Sequence, residues 1–300
     1  MGQMVSASTG RPYGIQRVCQ LWDQPRSTYY ARQTRAQRAS GPPARRGPKP
    51  AMADDHLLAL IRADLAASPF QGEGHRKVWA RLRFVQGLCI SRKRVLRVMR
   101  AHQLLSPRRG RQGTPHRHDG TITTTAPNLV WGTDGAKVYT LDEGWIWVFI
   151  AVEHWNAECV GWHVTKRGDR YAALDPLAHG LAALFGSVDA DTARGLVVRM
   201  DHGTQYLSDH FVHQLRFWGI TPSFAFVAEP ETNGVAERFI RTLKEQAIYG
   251  RIFRTAAEVR AAVGTFVATY NALWLVEKNG YRSPARTRAA WLEAALPVAA

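Results

Sequence analysis

The chain has 300 residues, 45% of them hydrophobic, and ten Trp, which excludes a disordered protein because disordered chains lack aromatic residues to bury. It contains no apolar run of the about 18 residues that a membrane span needs, and its first residues lack the apolar stretch of a signal peptide. The three cysteines, Cys19, Cys89 and Cys159, form neither a CxxC zinc site nor a disulfide framework, so a reducing cytoplasm is the expected compartment.

The net charge of +16 is concentrated in the first part of the chain. Residues 1–120 hold 23 Lys and Arg against 6 Asp and Glu, a net charge of +17, whereas residues 121–300 hold 17 against 18, a net charge of −1. Cations that neutralise phosphates release counterions, which favours binding to nucleic acid. The front of the chain is therefore expected to bind a polyanion, the alternative being a basic surface that serves solubility.

Residues 1–53 are predicted to form a helical segment and a basic linker. Ile15, Val18 and Trp22 have helical spacing, Pro25 interrupts the pattern, and a second short helix follows. Residues 33–53 are rich in Pro, Gly and Arg, which is typical of a linker, although such a segment can also follow a DNA backbone.

Residues 54–104 are predicted to form three helices. The first is capped by Asp54 and Asp55, the second follows Gly74, and the third is capped by Ser91. The expected apolar faces are Leu57, Leu58, Ile61 and Leu65, then Val78, Trp79, Leu82 and Val85, then Val95, Val98 and Met99. The third helix carries the basic residues that are predicted to bind DNA, Arg92, Lys93, Arg94, Arg97 and Arg100. Two helices around a Gly-containing turn, the second strongly basic, favour a helix-turn-helix over an ordinary three-helix bundle with a charged face.

Residues 105–125 resemble the first linker in composition, and residues 126–290 are predicted to form an α/β domain with a mixed five-stranded sheet. Strands are expected at 129–141, 145–152, 158–164, 195–200 and 220–226. Helices are expected near 171–185, from Ser208, from about 231 past Lys244, and from Thr255. The order β-β-β-α-β-α-β-α makes the chain as a whole mixed α+β rather than doubly wound. Trp145, Trp147, Trp155 and Trp162 are expected to pack rather than to stack on bases.

Three carboxylates stand out in this second half. Asp134 lies inside the first predicted strand, and Asp201 directly follows the apolar strand that ends at Met200. A carboxylate in or beside a buried sheet is costly unless it is paired or binds a metal ion. Glu237 lies on a helix whose apolar residues face the sheet, so its side chain can reach inward. Oxygen ligands alone suit Mg²⁺ or Mn²⁺ rather than zinc.

The spacing of these carboxylates matches a known signature. Asp201 and Glu237 have 35 residues between them, and together with Asp134 they resemble the D,D-35-E signature of transposases and retroviral integrases, whose fold is ribonuclease-H-like. The surrounding words resemble the bacterial IS-three family of insertion-sequence transposases: WGTD at 131–134, DHGTQYLS at 201–208, NGVAERFIRTLK at 233–244, GHRKVW at 74–79 and GYRSP at 280–284. In that family a helix-turn-helix precedes the catalytic core.

Two departures from the family pattern concern substrate contacts. Gly135-Ala136 follows the first Asp where Ile-Thr is common, and Leu273-Trp274-Leu275 stands where an Arg and a His are usual. The zinc module that precedes the core in integrases has no counterpart, because the helical unit lacks paired ligand spacing.

The resemblance implies a DNA transposase that nicks the ends of its element and joins them to other DNA, using two Mg²⁺ (or Mn²⁺) ions per active site. Asp134 and Asp201 are implied to bridge both ions, and Glu237 to hold one of them. Lys244 resembles an integrase lysine that contacts element-end DNA, and Arg241, Asn233 and Gln205 are further candidate DNA contacts. The implied partners are double-stranded DNA and further copies of the chain, since two DNA ends must be joined in one complex, and the implied location is the bacterial nucleoid.

Ordinary structural roles for single residues of the triad stay open at this point. Asp201 suits the start of a turn, and Glu237 suits an exposed pair with Arg241 one helical turn on. Two other functions also remain: a DNA-binding regulator of transposition with an inactive core, and another ribonuclease-H-fold nuclease, such as a junction resolvase or an RNA–DNA hybrid nuclease. Metal-dependent nicking distinguishes a transposase from the inactive DNA-binding regulator. The choice of substrate distinguishes a transposase from another ribonuclease-H-fold nuclease.

Overall fold

The computed structural model describes residues 4–37, 52–106, 124–224 and 233–295. The chain divides into two compact units, Met1–Ala51 and Met52–Ala300. No helix within the described ranges is both long enough and apolar enough to cross a membrane. Parts of both predicted linkers, the end of the fifth predicted strand and the predicted helix start at 231 lie outside the described residues.

The first unit contains the two short helices that the sequence predicts, α1 (Ile15–Leu21) and α2 (Arg26–Gln37). Pro25 lies directly before α2, where its fixed φ suits the beginning of a helix. Helix α2 has no buried residue, so its own packing contributes little stability.

The second unit begins with three helices around one small core. Helix α3 spans Asp54–Ala67, α4 spans His75–Ala80 and continues as a π-helical turn over Arg81–Val85, and α5 spans Arg92–Ala101. The side chains that fill this core are Leu57, Ile61, Val78, Leu82, Ile90, Val95, Val98 and Met99. The predicted three-helix arrangement is therefore confirmed.

Two details of the helical region differ from prediction. Val85 is 66% exposed, because the π-helical turn holds more residues per turn than an α-helix and rotates this position away from the core. The N-cap of α3 is Ala53 without a side-chain cap, whereas Asp54 and Asp55 occupy its first turn. Ser91 does cap α5, accepting a hydrogen bond from the backbone N–H of Arg94.

The sheet has five strands in the order β3-β2-β1-β4-β5. Strands β1 (Val130–Thr140), β2 (Gly144–Glu153) and β3 (Cys159–Thr165) form an antiparallel meander, and β4 (Val197–Met200) and β5 (Thr221–Phe224) extend it in parallel. This is the predicted mixed five-stranded sheet. Its parallel half brings the carboxyl end of β4 beside the middle of β1.

Helices cover both faces of this sheet. On one side lie α6 (Arg170–Phe185) and α7 (Asp209–Phe217), which share a core with Trp131 and Phe149. On the other side lie α8 (Gly234–Leu243), its π-helical continuation Lys244–Ile248, and α9 (Ala256–Leu273). Ser208 and Thr255 cap α7 and α9 as predicted. A final helix, α10 (Pro284–Ala295), was not expected.

The helical region packs against the α8–α9 side of the core. The Lys77 ammonium lies 2.6 Å from the ring centroid of Trp274, and Phe70 meets the same indole edge to face at 4.9 Å. Arg76 forms a 2.8 Å salt bridge with Glu277. The segment after α9, where the chain departs from the family pattern, is therefore a docking surface for the helical region.

Candidate active site

Asp134 lies in the middle of β1 and faces the α8 side of the sheet. Strand side chains alternate between faces, and Ala136 and Val138, on the same face as Asp134, are buried in the core with α8. The Asp134 Oδ1 accepts a hydrogen bond of 2.7 Å from the backbone N–H of Gly135. The remaining carboxylate lone pairs are free to meet a ligand from the α8 side.

Asp201 lies beside Asp134 at the carboxyl end of β4. The parallel register places Gly132 opposite Arg199, and β4 ends at Met200, one residue before Asp201. Asp201 therefore follows the strand that pairs with β1, and its charge acts on Asp134. The Gly203 N–H donates to Asp201 Oδ1 at 2.9 Å, which fixes the carboxylate in the loop before α7.

Glu237 is in the first turn of α8 and is exposed, whereas its neighbours Ala236 and Phe239 are buried against the sheet. The approach of α8 to β1 is close at Gly132, because a Cβ there would lie 3.3 Å from the Cβ of Ala236. The apolar face of α8 therefore presents Glu237 on the side of the helix next to the two aspartates.

The three carboxylates influence one another electrostatically. Burial raises the pKa of Asp134 to about 6, and the charges of Asp201 and Glu237 add to that effect. Burial and the charge of Asp201 also raise the pKa of Glu237, while Arg241 opposes the change. Like charges that converge on a partly buried point are costly alone and favour a bound cation.

The donor set fits a hard divalent cation, since it consists of carboxylate oxygens alone. Among the described residues, no three His, Cys, Asp or Glu side chains lie close enough together to form a complete ligand group as they stand. Asp134 and Asp201 are held by neighbouring strands, whereas Glu237 is on a helix that follows residues outside the described ranges.

A buried tyrosine below the aspartates escaped the sequence analysis as a site residue. Tyr206 is fully buried, and burial together with the charges of Asp134 and Asp201 raises its pKa. The phenol therefore stays neutral and supports the loop that carries Asp201. Its signal in the sequence is only its place in the word DHGTQYLS, which fixes spacing but not burial.

A second buried polar group lies behind the site, around Gly132. Asn233 and His154 are 1% and 4% exposed, and a Cβ at Gly132 would lie 2.9 Å from Asn233 Oδ1 and 2.9 Å from His154 Nε2. Asn233 Nδ2 donates to the backbone carbonyl of Thr133 at 3.1 Å. Asn233 was predicted to contact DNA, but its side chain is buried. It ties the start of α8 to β1 next to Asp134.

The other predicted contacts lie nearer the opening of the site. The charge of Lys244, which begins the π-helical turn after α8, lowers the pKa of Asp134. Arg241 is exposed and acts in the same way on Glu237. Gln205 is half-buried in the Asp201 loop. Its side chain packs closely on Gly203, since a Cβ added at Gly203 would lie 2.6 Å from the Gln205 Nε2.

The basic residues of α5 divide into two groups. Arg94 and Arg97 both donate to Asp54 at the start of α3, with Arg94 Nη2 at 2.9 Å and Arg97 Nη2 at 2.8 Å from its carboxylate oxygens. Arg94 is therefore largely structural, which the sequence pattern did not reveal. Lys93 and Arg100 are exposed, and Arg92 makes only a distant 3.8 Å pair with Glu277. These three remain the better candidates for phosphate contacts.

Comparison with protein families matches both halves of the second unit. Two models described as an integrase core domain match residues 124–230 and 218–284, and an HTH-like domain model matches residues 53–112. Together with the sheet topology, these matches identify a ribonuclease-H-like integrase core preceded by a helix-turn-helix.

The chain is similar in sequence to transposases of insertion elements and, more distantly, to the solved cores of retroviral integrases. The transposase for insertion sequence element IS629 of Shigella sonnei is 26% identical over 93% of either chain. Transposase InsD of insertion element IS2 from Escherichia coli is 30% identical over 65% of this chain and 66% of its own length. The catalytic core of BIV integrase is 18% identical over 56% of this chain and 97% of its own, with a TM-score of 0.41. The HTLV-2 integrase core, solved with magnesium, is 15% identical over 55% of this chain and 98% of its own, with a TM-score of 0.40. The chain belongs to the IS-three family of insertion-sequence transposases.

Proposed function

We propose that this transposase cleaves and joins DNA at a metal centre formed by Asp134, Asp201 and Glu237. The observation that carries the proposal is the electrostatic coupling of three carboxylates on β1, after β4 and on α8, with the pKa of Asp134 raised to about 6. Without a cation this arrangement is unfavourable, and with one it becomes a ligand set.

Asp134, Asp201 and Glu237 would hold two Mg²⁺ or Mn²⁺ ions. Bound ions of this kind activate the attacking oxygen and stabilise the leaving oxygen of a phosphodiester. The rest of the site has supporting roles. Tyr206 and Asn233 would hold the two aspartate-bearing segments in place, and Lys244 would contact a phosphate of the DNA.

The same carboxylates serve both steps of transposition, because only the attacking oxygen differs. A water molecule attacks in the nicking step and releases a 3′-hydroxyl at the element end. That hydroxyl attacks a second phosphodiester in the joining step, so the bond broken in the second duplex is replaced by the bond to the element end. The number of phosphodiester bonds is thereby conserved in joining.

We further propose that residues 54–104 and 126–290 act as separate functional domains, the first holding element-end DNA through Lys93, Arg100 and Arg92. Joining two ends in one complex requires more than one copy of the chain, and double-stranded DNA is the partner. The bacterial cytoplasm, at the nucleoid, is the location where that DNA lies. The three free cysteines are compatible with a reducing compartment.

The test is strand cleavage and joining on labelled duplexes that carry the element's own terminal sequence, with Mg²⁺ or Mn²⁺ and with Asp201→Asn as the comparison. We expect metal-dependent products from the native chain and none from the variant. DNA binding without cleavage by either protein, under conditions where IS629 transposase is active, would favour a binding protein with an inactive core.

A further inference from the structure

A strip of aromatic and basic side chains extends along the α6–α7 side of the sheet, away from the helical region. We define this aromatic–basic strip by its six residues, Lys137, Tyr139, Trp145, Arg167, Arg170 and Tyr171. Strand alternation sets the side, because Ala136 and Val138 face α8 and α9, so Lys137 and Tyr139 face the other way. The candidate active site uses none of the six.

The aromatic members of the strip are exposed. Tyr139, Trp145 and Tyr171 are 54%, 61% and 54% exposed. The rings of Tyr139 and Trp145 lie 5.3 Å apart at 71° across the β1–β2 hairpin. Trp145, which was expected to pack, therefore packs against Tyr139 on the surface and does not belong to the buried core. Large exposed aromatic patches mark binding surfaces.

The cations of the strip are interleaved with these rings. The Lys137 ammonium lies 4.8 Å from the ring centroid of Trp147, and the Arg170 guanidinium lies 5.3 Å from the ring centroid of Tyr171. Gly168 lies so close to the Trp147 ring that a Cβ there would be 2.1 Å from it, which holds the loop of Arg167 against the strand. This packing makes the two ends of the strip one surface.

Nearby carboxylates do not neutralise these cations. Asp169 caps α6 and accepts from the backbone N–H groups of Tyr171 and Ala172, and Glu143 pairs with Lys166 at 2.9 Å. Across the ranges that the structure describes, no carboxylate forms an ion pair with Lys137, Arg167 or Arg170. The strip is therefore a positive surface on a core of nearly neutral charge, which suits a polyanion.

The strip reaches the loop of the candidate active site at its Tyr171 end. The Tyr171 ring lies 4.7 Å from that of His210, in the first turn of α7 directly after the Asp201 loop. The Lys137 end is three residues beyond Asp134 on β1, about 10 Å at the strand rise per residue, and on the opposite face of the sheet. A DNA molecule on the strip therefore passes next to the loop that carries Asp201.

We propose that the aromatic–basic strip binds the second DNA duplex, the target into which an element end is joined. This inference rests on the proposed function. The helical region, with its DNA-binding candidates on α5, packs on the α8–α9 side, so an element end held there approaches from the opposite side of the sheet. The strip cations contact phosphates, and the rings stack on bases that bending unstacks.

Photocrosslinking tests where the target duplex lies without requiring catalysis. A photoreactive phenylalanine replaces Trp145 in the full chain, or Phe217 as the control, which is 54% exposed on the same side but beside the amino ends of β4 and β5. The probes are a labelled random-sequence duplex and a labelled element-end duplex, without metal. We expect the random duplex to crosslink at 145 and not at 217. Equal crosslinking at both positions, or crosslinking at 145 to the element end alone, would overturn the proposal.

Kinetics test the role of the strip in joining. In Lys137→Gln/Trp145→Ala, joining of a pre-nicked end to a random-sequence duplex should fall about tenfold or more, while nicking stays within about twofold of native. The matched control, Arg194→Gln/Phe217→Ala, should change neither. Equal loss of nicking and joining at an unchanged melting temperature contradicts the strip assignment. Absence of both steps in the native chain is a failure of the proposed function, and the crosslinking then still decides the strip.

Discussion

Two groups of carboxylates in this chain are built in opposite ways. In the helical region, Asp64 and Glu73 are 7% and 5% exposed and both bind Arg81, whose Nη2 lies 2.7 Å from Asp64 and whose Nη1 lies 2.6 Å from Glu73. At the sheet, Asp134 and its two carboxylate neighbours have no such central cation, and the pKa of Asp134 is raised to about 6.

The difference separates structural charge from functional charge. Burial lowers the pKa of Arg81, but the hydrogen bonds that Arg81 donates to Asp64 and the charges of Glu73 and Asp64 outweigh burial and raise that pKa, so Arg81 stays charged and holds α3 to α4. In the group around Asp134, burial and the neighbouring negative charges instead raise the pKa of Asp134, so its ionised form is costly without a cation. The first group serves folding, and we propose that the second serves chemistry.

The largest expected effect comes from removing one ligand of the second group. Glu237→Gln keeps the size of the side chain and the exposed position on α8 but lowers the charge of the ligand set. Nicking in Mg²⁺ should fall by at least about a thousandfold, because several kcal/mol of charge stabilisation depend on the bound ions. The nicking rate on an element-end duplex measures this. A loss of less than about tenfold would remove Glu237 from the ligand set.

The structural group should respond in folding rather than in activity. Arg81→Met leaves Asp64 buried without its cation and Glu73 with only Lys77, 3.5 Å away, and the free energy of unfolding should fall by about 3–5 kcal/mol. The matched control is Arg97→Met, which loses only a half-exposed pair with Asp54 and should cost about 1 kcal/mol or less. Urea unfolding followed by circular dichroism measures both. Equal losses in the two variants would show that burial does not distinguish these ion pairs.

Asp134→Asn should stabilise the metal-free protein in a pH-dependent way. The folded pKa is about 6 and the ordinary value is 3.8, so the folded state binds this proton more tightly than the unfolded state. The resulting stabilisation is present at low pH and is lost as the pH rises from 3.8 to about 6.

The variant never carries the charge. Its free energy of unfolding should exceed that of the native chain by roughly 2–3 kcal/mol above pH 6 and should equal it below pH 4. Urea unfolding in EDTA across this pH range measures the difference. A constant difference at every pH would mean that the carboxyl group does not titrate abnormally.

The smallest expected effect is stabilisation by Mg²⁺ itself. At a concentration about tenfold above its dissociation constant, a ligand that binds only the folded state adds about 1.4 kcal/mol. This increment should appear above pH 6, decrease as Asp134 becomes protonated, and be missing in Asp134→Asn. Thermal unfolding with and without Mg²⁺ measures it, with Asp64→Asn at the structural group as the comparison. A similar increment in Asp134→Asn would place the ion elsewhere.

Much of the fold was predictable because short-range rules determine it. The meander of β1, β2 and β3 follows from alternation and turn residues, and Ser91, Ser208 and Thr255 begin helices as their side chains dictate. The strand pattern placed Asp134 inside β1 and Asp201 directly after β4, whereas the parallel pairing of these two strands came from the structure.

Long-range pairing and local helix geometry were not predictable. Nothing near Arg94 or Arg97 in the sequence indicates their pairing with Asp54, forty or more residues earlier. The π-helical turn that exposes Val85 has no composition signal. The burial of Asn233 depends on how closely α8 approaches Gly132. This is a tertiary contact, and no local sequence pattern predicts it.

The most direct test of the central claim is metal rescue at Asp201. In Asp201→Cys, a thiolate replaces a carboxylate, and a thiolate binds softer ions than Mg²⁺. Nicking of an element-end duplex should be lost in Mg²⁺ and partly restored in Mn²⁺, whereas Asp201→Asn should stay inactive in both. If Asp201→Cys or Asp201→Asn nicks DNA in Mg²⁺ at the native rate, Asp201 is not a metal ligand and the proposed active site is wrong.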